Sequence, residues 1–280
     1  MIYNIKNLSC SYSTSVRPVL EIEQLQIENG DRVFFIGPSG VGKSTILESL
    51  GLMNNTIQEN SNSVFDFLGE SFIDIWDKGE AELKKKRNEN FSFIFQSNNL
   101  FGSMTGYQNV ISGSIINGEH EISSLKRKAA IIVGELLSDL NIKNGEDFNI
   151  FEMSGGQKQR VAFARAIIAN KDILFADEPT GNLDWYNAEK LMMYLDEKLG
   201  IDKTAIIVTH DIELALKFAT KIVLIDKKCE LINGEENYYG MINANSIYSK
   251  NDNTWTNASE DKTLEKVRSE IRSKFIPENI

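Results

Sequence analysis

Residues 33–45 read Val33-Phe-Phe-Ile-Gly37-Pro38-Ser39-Gly40-Val41-Gly42-Lys43-Ser44-Thr45. This segment fills the G-x-x-x-x-G-K-[ST] pattern directly after a short apolar strand. Its glycines let backbone N–H groups close around phosphate oxygens, and the helix that follows presents its positive dipole end to the same anion. Lys43 adds a charge for the outer phosphates, and the Ser44 hydroxyl suits Mg²⁺. The sequence therefore predicts a nucleotide-binding loop; the alternative is a glycine-rich turn without a ligand.

Five short apolar runs predict strands that are buried on both faces. They are Val33–Ile36, Phe91–Phe95, Ile173–Ala176, Ala205–Val208 and Ile222–Ile225. Helix-spaced apolar residues between or after them cover Ser44–Leu52, Gln157–Ala169, Asn187–Leu199 and Ile212–Phe218. This alternation predicts an α/β fold with a mostly parallel sheet. Alternating residues at the amino terminus and around Phe65, Phe67 and Phe72 predict a small antiparallel β subdomain beside it.

The apolar pattern typical of strands is lost in two regions of the sequence. Between Gln96 and Ser154 helix formers such as Leu125–Leu140 dominate, which predicts an inserted helical subdomain at about residues 97–165. From about residue 236 the composition turns to Asn, Ser, Tyr and charge. The apolar residues of this tail share one face of a predicted terminal helix: Leu264, Val267, Ile271 and Phe275. That helix either docks on a partner or packs against its own domain.

Composition excludes several classes of protein. The 280 residues carry a net charge of −10, which argues against a broad nucleic-acid interface. Cys10 and Cys229 lie far apart in the sequence, so neither a disulfide framework nor a zinc site is expected. No segment approaches the roughly 18 to 20 apolar residues that a bilayer crossing needs. We expect a reducing compartment, and attachment to a membrane only through a partner.

Two carboxylates end one of the predicted strands, at Asp177 and Glu178. Open parallel sheets bind their ligands at the carboxyl ends of strands. Asp177 is therefore expected to hold Mg²⁺ through water, and Glu178 to orient or deprotonate the water that attacks the γ-phosphate. A solvated acidic turn before Pro179 is the alternative.

Two other segments carry candidate phosphate contacts. Ser154-Gly155-Gly156-Gln157 precedes a helical pattern and offers backbone N–H groups and a hydroxyl to an anion, although Ser154 also suits a plain N-cap. His210 follows the strand Ala205–Val208, where its imidazole could reach the same phosphates. A lone histidine is more often structural or solvated, so its assignment depends on the other segments.

The order of these segments resembles the ATP-binding cassette ATPases that power ABC transporters, over roughly residues 1–235. The fold implied is a P-loop NTPase (RecA-like) core, with residues 236–280 as a C-terminal extension. The matching elements are, in chain order, Tyr12, the phosphate loop Gly37–Thr45, Gln96, the signature Met153–Gln157, Asp177 and Glu178, the loop Gly181–Asp184, and His210.

The resemblance implies a role for each of these residues. Tyr12 would stack on adenine, Lys43 would grip the β- and γ-phosphates, and Ser44 with Gln96 would complete the Mg²⁺ shell. Glu178 would be the catalytic base, and His210 would contact the γ-phosphate. Ser154 and Gly156 would touch the γ-phosphate of ATP held by a second copy, which implies two ATP molecules in a head-to-tail dimer with Asp184 across the interface.

The segments Phe93–Leu100 and Glu178–Asp184 look like the branch of lipoprotein-release and macrolide-export ATPases. That likeness implies an integral membrane permease as partner and a cytoplasmic position on the inner face of the membrane. The permease would dock after Gln96, near Leu100, Phe101, Met104 and Tyr107; the alternative is that these four belong to the core.

Two other functions stay open at this point. One is an ATP-dependent regulatory or assembly scaffold at the membrane, as in a cell-division relative of the same branch. The other is a soluble cassette ATPase of DNA repair or translation. Acidic charge and the presence of one cassette without a coiled-coil insertion disfavour the latter.

Overall fold

The computed structural model describes residues 1–12, 17–58, 62–115, 122–137, 148–232, 234–252, 254–258 and 260–275. The end of the predicted helix Leu125–Leu140 lies outside these residues. The chain forms two compact units, the first made of residues 1–84 and 204–280 and the second of residues 85–203. The domain limits expected from the sequence, at about 97–165 and after 235, remain proposals.

The first unit contains the predicted small sheet, which is mainly antiparallel. Its strands are β1 (Tyr3–Cys10), β2 (Leu20–Ile27), β4 (Ile57–Gln58), β5 (Val64–Phe67), β6 (Glu70–Ser71), β11 (Asp226–Ile232) and β12 (Glu235–Ile242). They lie in the order β11-β12-β2-β1-β5-β6, with β4 also paired to β1, and only the β12–β2 pair is parallel. The Tyr3, Phe65, Phe67 and Phe72 rings are buried together against this sheet, with 5.0 Å between the Tyr3 and Phe67 centroids.

A second set of strands in this unit carries the phosphate loop. Strand β3 (Arg32–Ile36) is buried along its whole length. It lies parallel to both β9 (Thr204–Val208) and β10 (Lys221–Leu224). Helix α1 (Lys43–Leu50) follows β3, and α7 (Ile212–Phe218) follows β9. Because parallel strands end at one edge of a sheet, the segments after β3 and β9 lie at the same edge.

The C-terminal extension continues this sheet, which the sequence pattern did not predict. Strand β13 (Ile247–Asn251) pairs antiparallel with β10, and β14 (Thr254–Asn257) and β15 (Glu260–Lys262) follow as a meander. Helix α8 (Leu264–Phe275) contacts α7 and β14. Val267, Ile271 and Trp255 are buried, so the extension packs against its own unit.

Buried apolar side chains should contribute more than exposed ion pairs to the packing of α8. We expect Ile271→Ala to lower the free energy of unfolding by about 2–5 kcal/mol, because it removes a fully buried side chain. Arg272→Ala is the matched control on the same helix: it removes a 2.8 Å ion pair to Glu213 whose two side chains are 53% and 36% exposed. Exposed pairs contribute up to about 1 kcal/mol. If chemical denaturation showed that both variants lose the same free energy of unfolding, the greater importance of burial would be contradicted.

The second unit contains the parallel pair β7 (Phe91–Ile94) and β8 (Ile173–Asp177), with Ile94 opposite Ala176. Helix α2 (Glu80–Asn90) precedes β7 along the chain. The helices that lie entirely in the described part of this unit are α3 (Gly106–Ile115), α4 (Ile122–Leu136), α5 (Gly155–Ile168) and α6 (Trp185–Leu199). The described part of residues 97–154 contains helices and no strand, which agrees with the predicted helical insertion. Helices α3 and α5 pack closely, since a Cβ atom at Gly113 would lie 2.2 Å from the Arg165 carbonyl oxygen.

Candidate nucleotide-binding site

The phosphate loop joins β3 to α1 in the first unit. Gly42 occupies the N-cap position of α1 with φ of 94°, a left-handed conformation that favours glycine. No side chain caps this helix start, so the first-turn N–H groups are not taken by a capping oxygen. The loop also rests on β12, because a Cβ atom at Gly240 would lie 2.1 Å from the Val41 carbonyl oxygen. The loop thus has the backbone form of an anion site.

Lys43 lies across this loop. Its ammonium group donates to the carbonyl oxygens of Gly37 at 2.6 Å and Pro38 at 2.8 Å. The positive charge is therefore held at the loop, where phosphate would bind. Ser44 is exposed, so its hydroxyl can reach a ligand.

Tyr12 lies beside the phosphate loop. Its hydroxyl is 3.2 Å from Oγ1 of Thr45, and the side chain is 43% exposed. A tyrosine whose hydroxyl is anchored and whose side chain is partly exposed suits stacking on a base. Tyr12 is therefore placed where an adenine contact is expected.

His210 lies on the connection between β9 and α7. Thr209 donates its backbone N–H to the Phe35 carbonyl oxygen at 3.2 Å, which ties this connection to the end of β3. Asp211 caps α7 by accepting from the Leu214 N–H at 3.0 Å. The His210 side chain between them is exposed, at the edge of the sheet that carries the phosphate loop. The first unit thus places Tyr12 beside its phosphate loop and His210 at the same edge of the sheet.

The second unit gathers the acidic residues and Gln96 at the ends of its parallel strands. Gln96 follows β7 and is exposed, while Asp177 ends β8 and is half-buried. Glu178, the next residue, has φ of 45°, which non-glycine residues adopt at a cost. Pro179 and Thr180 are buried after it. The Glu178 side chain therefore sits on a tight turn whose backbone is strained.

Gln159 supports this turn from α5, and sequence analysis missed it. Its side chain is 1% exposed, and its amide donates to the carbonyl oxygen of Glu178 at 3.4 Å and to that of Pro179. In the sequence, Gln159 could have been noticed only as a polar residue among apolar residues on one face of the predicted helix. Gln159 shares its face of α5 with the buried Ala162, Phe163 and Ala166.

The signature segment forms a helix start with both parts of a capping box. Ser154 Oγ accepts from the Gln157 N–H at 3.3 Å, and the Gln157 side chain accepts from the Ser154 N–H at 2.8 Å. Gln157 is thus used by the helix cap. Gly155 is exposed with open space around it, and a Cβ atom at Gly156 would lie 2.9 Å from Leu183. The close contact joins the signature to the loop Gly181–Asp184.

Asp184 begins α6. It accepts from the Asn187 backbone N–H at 3.0 Å and from the Asn187 amide at 2.6 Å. These hydrogen bonds, the backbone one first, lower the pKa of the Asp184 carboxyl. The carboxylate is therefore a charged and exposed helix cap, consistent with an interface position.

The loop after Gln96 is held by hydrogen bonds from Arg165 and Asn109. The Arg165 guanidinium donates to the carbonyl oxygens of Asn98 and Asn99, both at 2.7 Å. Burial lowers the pKa of Arg165. The buried Asn109 exchanges hydrogen bonds with the Phe101 backbone at 2.8 and 3.1 Å.

We call the four residues of the predicted docking site the coupling surface: Leu100, Phe101, Met104 and Tyr107. Phe101 is 46% exposed, and the other three are half-buried. The coupling surface is therefore neither free in solvent nor enclosed in the core.

Two further features of the described residues concern metal binding and membrane crossing. In those ranges no three His, Cys, Asp or Glu side chains cluster as a metal site. No described helix combines the length and apolar character needed to cross a bilayer.

Comparison with known proteins gives consistent results. Residues 20–181 match the family described as ABC transporter. The lipoprotein-releasing system ATP-binding protein LolD 2 of Rhodospirillum rubrum is 36% identical over 209 residues, 74% of this chain and 86% of that protein. LolD of Francisella tularensis subsp. holarctica is 32% identical over 238 residues, 83% of this chain and 97% of its own. The macrolide export ATP-binding/permease protein MacB of a Shewanella species is 36% identical over 222 residues, but the match covers 31% of MacB.

Solved structures agree with these sequence matches. The dimeric structure of MJ0796, a bacterial ABC transporter cassette, has a TM-score of 0.67 at 30% identity and covers 80% of this chain and 94% of that one. A dimeric post-hydrolysis state of MJ0796 bound to ADP and Pi has a TM-score of 0.68 at 29% identity, and the match covers 85% of this chain and 98% of that one. The predicted α/β cassette fold is confirmed.

Proposed function

The chain belongs to the ABC transporter family, and on that premise we propose that it binds and hydrolyses ATP to drive a separate membrane permease. The observation that carries this proposal is the phosphate loop, with Lys43 held across it and an uncapped helix start behind it. A loop of this form offers backbone donors and one cation to a triphosphate. Its solved relative MJ0796 was observed with ADP and Pi.

We propose that ATP hydrolysis is catalysed by positioning of the attacking water and by stabilisation of negative charge on the phosphates. Lys43 and the N-terminus of α1 stabilise negative charge on the phosphates, while Glu178 orients and accepts a proton from the attacking water. His210 contacts the γ-phosphate, and Tyr12 stacks on the base. These assignments rest on the family resemblance and on the exposure of the side chains.

Mg²⁺ is the proposed metal. Ser44, Gln96 and Asp177 supply oxygen donors of the kind that Mg²⁺ prefers, and phosphate and water oxygens would complete its shell. When bound, the ion would neutralise charge on the phosphates.

Two copies of the chain are proposed to close around two ATP molecules. Ser154, Gly155, Gly156 and Gln157 of one copy would face the triphosphate held by the other, with Asp184 across the interface. The dimeric MJ0796 structures support this arrangement.

The proposed partner is an integral membrane permease, and the chain would sit on the cytoplasmic face of the membrane through it. LolD and MacB are named for lipoprotein release and macrolide export, which favours a transport function over a regulatory scaffold. Affinity purification from detergent-extracted membranes tests this proposal directly. We expect a polytopic membrane protein to copurify in stoichiometric amount, and its absence would contradict the proposal.

The coupling surface gives a sharper test. We expect Met104→Glu to preserve ATP binding but to prevent copurification of the permease, because a charge at a half-buried apolar position opposes docking. Met53→Glu, at a methionine that is 41% exposed in the first unit, is the matched control and should retain the permease. Retention of permease and transport by Met104→Glu would overturn the docking assignment.

A further inference from the structure

We propose that Gln159 is a positioning residue that couples the signature segment to the Glu178 turn within one chain. This inference rests on the proposed head-to-tail dimer. In that dimer the signature faces ATP on the partner copy, whereas Glu178 acts on ATP bound to its own chain. Gln159 would therefore link the two ATP sites of the dimer.

The acidic turn needs outside support. Glu178 has φ of 45°, and its carbonyl oxygen already accepts from the Gly181 N–H at 3.1 Å. The next carbonyl, that of Pro179, lies in a buried residue that has no N–H of its own. The Gln159 amide donates to this carbonyl and, more weakly at 3.4 Å, to that of Glu178. It thus bonds the two successive peptide units that follow the strained residue.

Gln159 also moves with the signature. The capping box of Ser154 and Gln157 begins α5, and Gln159 lies in the next turn of the same helix. Five residues along a helix span about 7.5 Å, so a shift of the helix start is transmitted directly to Gln159. Because the amide is 1% exposed, water cannot easily replace its hydrogen bonds. The acidic turn must therefore follow the helix or lose these bonds.

Gln159→Met tests the link, because methionine has a similar length and volume but cannot donate a hydrogen bond. ATP hydrolysis by the full-length chain should be measured against ATP concentration. We expect the Hill coefficient of the parent, which can approach two for two sites, to fall toward one in the variant. We also expect kcat to fall about tenfold or more, with KM within about threefold. Gln24→Met, at an exposed glutamine of β2, is the control and should match the parent.

Gln159→Glu adds a readout that a purely structural role would not produce. A protonated carboxyl can donate through its O–H, so the activity of this variant relative to the parent should rise as the pH falls. This variant also decides the question if Gln159→Met fails to fold, since a flat ratio across pH would overturn the proposal.

The remaining outcomes are distinct. Parental kcat and Hill coefficient in Gln159→Met would overturn the link, as would a parent with a Hill coefficient of one. A parent that hydrolyses no ATP would instead refute the proposed function.

Discussion

Replacing Glu178 by glutamine is expected to stop steady-state ATP hydrolysis, lowering kcat by about 10²- to 10⁴-fold while ATP binding persists. Glutamine keeps the shape of the side chain on its strained turn but cannot accept a proton from water. Without turnover, ATP should remain between two copies. Phosphate release and sedimentation at saturating ATP would measure both consequences.

Glu82→Gln is the matched control for this experiment. Glu82 is half-buried, as Glu178 is, but lies on α2, outside the proposed catalytic residues. The Glu82→Gln variant should hydrolyse ATP at the parental rate. Parental phosphate release by Glu178→Gln would remove Glu178 from the catalytic role, whereas a loss of ATP binding in that variant would indicate a structural one.

Gly240→Ala is expected to weaken ATP binding about tenfold or more and to destabilise the fold by about 1–3 kcal/mol. The added Cβ would lie 2.1 Å from the Val41 carbonyl oxygen and 2.7 Å from Ile225 Cγ2. Neither β12 nor the phosphate loop can absorb that overlap by a side-chain rotation, because the nearer atom belongs to the backbone. The loop must therefore shift from the conformation that would receive phosphate.

Gly134→Ala separates this effect from glycine replacement in general. Gly134 lies in α4, and a Cβ atom there would meet no heavy atom within 4 Å. Alanine should keep the parental ATP affinity and add up to about 1 kcal/mol of stability, because it favours the helix. Titration with a fluorescent ATP analogue and thermal unfolding would compare the two variants. Parental affinity in Gly240→Ala would show that the loop tolerates the displacement.

Much of the core fold could be predicted because its signals are local. The strand before the phosphate loop is observed as Arg32–Ile36 and the acidic strand as Ile173–Asp177, each within one or two residues of the predicted run. Strands buried on both faces need continuous apolar residues, and that need is visible in a short window. The strands of the C-terminal extension were not predicted, since their residues are partly exposed and mostly polar.

The sequence by itself determined the phosphate loop and the order of the core strands and helices, because spacing along the chain specifies these features. The candidate roles of Tyr12, Gln96 and Asp184 came from the resemblance of that order to a known family. Tertiary structure alone decided that Gly240 supports the loop at Val41, and that Gln159 supports the Glu178 turn. Both contacts join segments that are distant in the sequence. The physical reason is that close packing and the pairing of buried polar groups depend on which segments the fold brings together, and no local pattern records that choice.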